Sequence, residues 1–481
     1  MAYKHGVYTS EVATSIISPV NTTAGLPVIY GTAPVHLAAD RAEVNKPILC
    51  HTYAEAVAAF GYSDNWKDFT LCEAIYSYFT LYGVAPVVLV NVLDPKKHIE
   101  KVSAEEKTIT EGTVVLSDPV LPETLEVRSS SAGEPLAAGT DYEAAFDDDG
   151  NLVITALEKG ALNGSASLYA TYTKLDPSAV KADDIIGGID VSTGKGKGME
   201  TIGQVFTLFG LVPGILLAPG WSEDPSVASV MKAKASGING FFNAVCLVDI
   251  SADTVTKYSD VYNWKNQNNY TGANMAACWP MVRNGDRIFH MSTHLAGVIG
   301  KVDADNDDVP FESPSNKSMQ ATGLCLKDGS EVVLTIDQAN YLNGEGIITG
   351  LNFMGGWVIW GNRTATYPAN TDVKDCFLCV RRMFNWHAQT FIQTYWQKVD
   401  KPINKRLIQT VVDSENIRLN GLVASGALLG GRIEFLEEEN PTTDLLDGII
   451  RFHTYITPPT PAREIENVIE YDPSYFSTLF E

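Results

Sequence analysis

The run Pro86-Val87-Val88-Leu89-Val90-Asn91-Val92 is apolar at nearly every position, so a strand made from it has no face to present to water. It predicts a strand buried on both sides, in an α/β sheet covered by helices. The surrounding sequence fits the same layer. An apolar strand over 26–31 precedes it, with a helix over 52–60 closed by Gly61 and another over 70–82 closed by Gly83. The pattern returns with 215–220, a helix over 225–236 and a strand over 243–250.

Between these two stretches, over 98–183, the texture changes. Short alternating strands at 124–127, 142–146, 152–155 and 167–173 are separated by Gly, Pro, Asp and Asn, and Asp149-Gly150 is a hairpin signal. About five strands without a helix predict an inserted β-sandwich. The fold class expected is therefore α/β and α+β multidomain, an α/β core with an inserted β-sandwich domain and extended N- and C-terminal arms. The arms are 1–24 and 462–481, strand-like stretches short of core residues. The middle domain is discontinuous, 25–97 plus 184–335, and the C-terminal domain covers 336–461. In that last third the pattern predicts strands at 357–360 and 377–381 and amphipathic helices over 383–397 and 403–424.

Acidic residues outnumber basic ones 58 to 35, and a net charge of -23 argues against nucleic acid as a main partner. Seven cysteines, most of them inside apolar runs, fit reduced thiols of a protein made in a cytosol. No 18-residue apolar run and no apolar stretch behind a basic start is found, so a soluble, unsecreted chain without membrane insertion is expected.

Several fragments imitate catalytic sites. Gly194-Lys195-Gly196-Lys197-Gly198 lacks the glycine five positions upstream and the Ser or Thr after lysine that a phosphate loop needs, and reads as a flexible linker. Cys376 and Cys379 lack a second pair for zinc and read as packing in a strand. His290 and His294 have zinc-helix spacing but no Glu after the first, and read as half-buried or solvated. Asp303, Asp305, Asp307 and Asp308 lack the turn glycine and terminal Glu of a calcium loop, and read as a solvated acidic loop. No base is paired with a nucleophile. An enzyme is not expected, and neither a cofactor nor a catalytic or metal residue is assigned.

One ordered set of motifs is more specific: Tyr341-Leu342-Asn343-Gly344-Glu345-Gly346-Ile347, Trp360-Gly361-Asn362-Arg363-Thr364, Val380-Arg381-Arg382, Gly426-Ala427-Leu428 and 457–465. Upstream, 53–61, 217–220 and Ser313-Pro314-Ser315-Asn316-Lys317 agree. Together they resemble the contractile tail sheath proteins of bacteriophages and related contractile injection particles, over nearly the whole chain except 98–183. Where such proteins have Gly-Ile-Asn, this chain has Gly346-Ile347-Ile348.

The resemblance implies a structural subunit of a virion or phage-tail-like particle, assembled in the host cytoplasm. It would form hexameric rings stacked around an inner tail tube protein, with baseplate and tail terminator proteins as further partners, and contract to drive the tube through a bacterial envelope. Arm contacts between subunits would use Val7, Tyr8, Val12, Ile465, Val468 and Ile469. The tube-facing candidates are Lys398, Lys401, Lys405 and Arg406, because 374–406 carries seven basic and two acidic residues within an acidic chain. The competing reading is a nucleotide-dependent α/β enzyme using the 194–198 loop.

Overall fold

The computed structural model describes residues 20–21 and 24–480; the expected contacts at Val7, Tyr8 and Val12 lie outside the described residues. The centre is an eight-stranded sheet in the order Trp357–Trp360, Ile347–Asn352, Met275–Cys278, Val245–Asp249, Ile215–Leu217, Pro27–Gly31, Val87–Asn91, Ile48–Cys50. The inner six strands are parallel and the two edge strands antiparallel. Strand Val87–Asn91 is buried at all five positions, as its unbroken apolar run requires. Chain order reverses between Pro27–Gly31 and Ile215–Leu217, the switch point of an open α/β sheet.

Local signals set the helix ends. Thr52 Oγ1 accepts from Glu55 N at 3.2 Å to start helix Tyr53–Phe60, and Gly61 at φ 74° ends it. The segment 70–82 begins as α-helix Thr70–Ile75, continues as a π-helix Tyr76–Tyr82, and stops at left-handed Gly83. The sheet runs past residue 335, since its strands Ile347–Asn352 and Trp357–Trp360 follow that position and share its core.

Residues 99–175 form two three-stranded antiparallel sheets around their own buried cluster, which includes Leu116, Val127, Tyr142, Leu152, Ile154 and Tyr172. Two of the six strands escape sequence reading. Ile99–Thr108 is charged and largely exposed on both faces, so it shows no alternation, and Thr113–Leu116 is short. This unit is not detached from the body. Leu121 and Leu175 join the main core, and the Phe146 ring meets the His36 ring edge-on at 5.8 Å.

In the last third, the expected strand at 377–381 is helical. Phe377 alone is extended, capping helix Leu378–Tyr395, whose inner face buries Leu378, Cys379, Val380, Arg382, Met383, Asn385 and Gln389. The aromatic and β-branched residues at its start mimic a strand, while the 3.6-residue burial period continues through them. Helix Lys405–Ala424 packs on a two-stranded sheet, Gly430–Glu434 with His453–Thr457. The strand-like stretch expected over 462–481 forms no strand among its described residues: 458–472 carries no regular element and Pro473–Leu479 is a 3-10 helix.

Candidate functional site

Four of the segments that carry the resemblance, within 313–317, 341–347, 360–364 and 457–465, converge on one cleft of about 510 Å³. Its walls come from Ser313–Asn316, helix Ile336–Gly344 and the turn after Trp357–Trp360. Trp360 Nε1 donates to Asn340 Oδ1 at 2.9 Å, and Gly361 N donates to Ser315 Oγ at 3.0 Å. The Arg363 guanidinium lies over the rings of Phe377 and Tyr367, 3.8 and 4.3 Å from their centroids, and Nη1 donates to Cys376 Sγ at 2.9 Å. Beneath them the buried Lys265 ammonium donates to the carbonyls of Glu345 (2.7 Å) and Tyr367 (2.9 Å), and burial lowers its pKa to about 8. Residues 461–464 cross the mouth, and among the described residues no hydrogen bond ties the 458–462 backbone to the floor. Residues 461–464 thus lie against a polar platform.

Residues 24–25 have a different anchor. Ala24 N donates to Asp308 Oδ1 at 2.7 Å, and a Cβ on Gly25 would lie 2.7 Å from Asp303 Oδ2. Asp303 makes a bidentate ion pair with Arg382, and both side chains are buried. That pair joins helix Met291–Asp305 to helix Leu378–Tyr395 directly beneath Gly25. The expected solvated acidic loop is therefore corrected at Asp303, which serves the interior; Asp305 and Asp307 remain exposed.

The other expected site residues are spread over the surface. Ile465, Val468 and Ile469 are 88, 82 and 85% exposed. Lys398, Lys401, Lys405 and Arg406 are all exposed around the turn between the last two long helices. Among the described residues none of the four has a carboxylate within 4.0 Å.

The catalytic look-alikes resolve into structure. The 194–198 segment is one side of a hairpin, Gly188–Ile189 with Gly196–Lys197, and not a linker. The Asp190 carboxylate takes the Ser192 and Thr193 amides at 3.0 and 2.9 Å, the Ser192 hydroxyl and the Lys197 ammonium, which hold its pKa far below the usual range. The Lys197 ammonium and these amides are thus engaged by a carboxylate of the chain itself. Cys376 and Cys379 are buried, and burial raises the Cys379 thiol to about 11.

His290, the N-cap of helix Met291–Asp305, is half-buried, while His294 is fully buried because that helix is buried on nearly every side. His294 Nδ1 meets the Tyr82 hydroxyl at 2.6 Å, and burial lowers its pKa to about 4. His290 lies against Glu73, its N and Nδ1 each 2.7 Å from a carboxylate oxygen, with Glu223 3.9 Å from Nε2. Burial opposes its charge, but Glu73, Asp249 and Glu223 together raise it to about 9.

This group has a measurable consequence. A folded-state pKa above the ordinary histidine value of 6.5 gives stability that is fully present below pH 6.5 and lost as pH rises through about 9. Lys265, lowered by burial, works in the opposite direction between about 8 and the ordinary lysine value of 10.5. The diagnostic is therefore a difference between proteins. From pH 7 to 10 the melting midpoint of wild type should fall by several degrees more than that of H290Q; parallel curves would rule out this role for His290.

No protein-family model matches the chain. Two curated relatives are informative. The tail sheath protein of Burkholderia phage BcepMu is 29% identical over 99% of this chain and 98% of its own length. The tail sheath protein of Escherichia phage P2 is 24% identical over 73% of this chain and 85% of its own.

The chain is a relative of contractile tail sheath proteins.

Solved structures agree on the fold. The sheath of an extracellular contractile injection system in its contracted state superposes with a TM-score of 0.58 at 14% identity, covering 99% of each chain. The sheath tail protein from Desulfitobacterium hafniense gives 0.52 at 12%, covering 89% and 93%. These sheath proteins of phages and injection systems are structural, and none of the matches supports the nucleotide-enzyme reading. No helix of the described residues is long and apolar enough to cross a membrane.

Sequence reading of this sheath relative missed the buried Asp303–Arg382 pair and the Glu73–His290 group. Each joins residues 79 and 217 positions apart, so no local spacing could reveal them. It also missed the hairpin Gly430–Glu434 with His453–Thr457, whose glycines weaken the strand signal.

Proposed function

We propose that the chain is the structural subunit of a contractile tail sheath. It polymerises as stacked hexameric rings around an inner tail tube and contracts to drive that tube through a bacterial envelope. The observation that carries this reading is the similarity to a tail sheath protein over 99% of the chain.

The geometry adds a physical route to assembly. The C-terminal arm exposes apolar Ile465, Val468 and Ile469 on a segment with no regular structure of its own. The sheet formed by Gly430–Glu434 and His453–Thr457 has two strands and hence two open edges. Arms of neighbouring copies add strands there, satisfying backbone groups that an isolated chain leaves to water. Contraction then moves near-rigid subunits about the arm roots, and its free energy is a difference in contacts between copies, without a nucleotide or cofactor. Baseplate and terminator proteins close the two ends. The inserted β unit, 98–183, is a decoration of the outer face.

The tube-facing surface in this reading is the basic corner at Lys398, Lys401, Lys405 and Arg406. Each exposed charge contact is worth about 0 to 1 kcal/mol, but a ring repeats it six times and a stack of rings many more. Reversing Lys398, Lys401 and Lys405 to Glu should give sheaths that assemble empty or already contracted when viewed by electron microscopy. Normal extended, tube-filled sheaths from the triple variant would refute the assignment.

A further inference from the structure

Phe241 and Trp396 are 51 and 56% exposed, and their rings meet edge to face at 5.5 Å. They come from distant segments. Phe241 follows the tight turn Asn239-Gly240, both at positive φ, in the hairpin of Ser236–Ile238 with Phe242–Asn243. Trp396 ends helix Leu378–Tyr395.

The hairpin that carries Phe241 is tied to the rest of the fold and to the helix that Trp396 ends. Asn239 Nδ2 donates to Gly203 O at 2.9 Å, Phe242 packs on Phe206 with centroids 5.0 Å apart, and Gln389 of the helix donates to Asn243 O. A large aromatic kept in water by a rigid frame loses little conformational freedom on docking, which is the character of an interface anchor. Val399 and Ile403 extend the apolar surface, at 61 and 38% exposure. The turn 396–406 that carries them holds four basic residues and one acidic, Asp400.

We infer that Phe241 and Trp396 form an aromatic anchor, framed by Lys398, Lys401, Lys405 and Arg406, that docks into an apolar recess on an acidic protein surface. This rests on the tube-facing reading and names what that contact needs beyond charge. Charge complementarity selects the occupant: four cations with no carboxylate partner among the described residues, on a chain of -23, call for an anionic partner, and the aromatic pair calls for a hydrophobic seat within it.

The two components separate by salt. At 1 M salt the screening length is about 3 Å and the charge contacts fade, while apolar contact persists. Wild-type sheaths, purified from cells producing the full set of tail proteins, should keep their tubes in 1 M NaCl. The variant F241S/W396A should keep them in 0.1 M NaCl and shed them about tenfold more readily in 1 M, one factor of ten being about 1.4 kcal/mol. The conservative variant F241Y/W396F should behave as wild type. Equal retention by wild type and F241S/W396A at both salts would overturn the anchor. So would a folded F241S/W396A that forms no rings, which would assign the pair to contacts between copies. Should the double substitution disturb folding, W396Q alone carries the same test. Wild-type sheaths empty of tube at every salt would instead sink the tube-facing reading on which the anchor rests.

Discussion

Protein lacking residues 1–19 should fold as a soluble monomer and fail to polymerise. The main core begins at Leu26, and the clamp on the arm root, Ala24 on Asp308 above the Asp303–Arg382 pair, stays in place. What is removed serves the proposed contacts between copies, including Val7, Tyr8 and Val12. If one arm contributes four backbone hydrogen bonds to a neighbour, at about 1 kcal/mol net each, the association constant falls about a thousandfold. Sedimentation velocity and electron microscopy should show monomers at concentrations where the full chain forms tubes. Tubes from the truncated protein would contradict the role given to the arm.

The second large effect is on the fold itself. Arg382→Ala leaves the Asp303 carboxylate buried without its partner, and breaking such a pair costs about 3–5 kcal/mol. The loss should appear as a lowered denaturant midpoint and as faster amide exchange at Ala24 and Gly25, which lie on the pair. Replacing both partners, in D303L/R382M, should recover much of the stability, since an apolar pair carries no desolvation penalty. A single variant as stable as wild type would mean the pair is not the join between the two helices.

The parts legible in the sequence are those governed by local chemistry. The buried strand Val87–Asn91 announces itself by its unbroken apolar run, and the helix at Tyr53–Phe60 by Thr52 and Gly61. The hairpin turn at Asp149-Gly150 is equally local. Helix Leu378–Tyr395 was misread at its start because Phe377-Leu378-Cys379-Val380 has strand composition, while the packing beneath it has helical period. His294 was misread because burial of a whole helix depends on the elements around it, whereas His290 at that helix's N-cap is half-buried as expected and meets Glu73 of another helix.

The site divides in the same way. The motifs Asn343-Gly344, Trp360-Gly361-Asn362-Arg363 and Ser313–Lys317 were legible one by one, but their convergence under the C-terminal arm was not. That convergence depends on helix Ile336–Gly344 and strand Trp357–Trp360 flanking one edge of the sheet. Trp396 and Phe241 were invisible for the opposite reason. Aromatic residues at the end of an amphipathic pattern read as core, and only the fold leaves them in water.

The most direct test of a contractile sheath subunit is negative-stain electron microscopy of the purified full-length chain, paired with equilibrium ATP binding on the same sample. The account predicts rings or tubes with sixfold end views, and no saturable nucleotide binding. A monodisperse monomer at all concentrations that binds ATP saturably would contradict it.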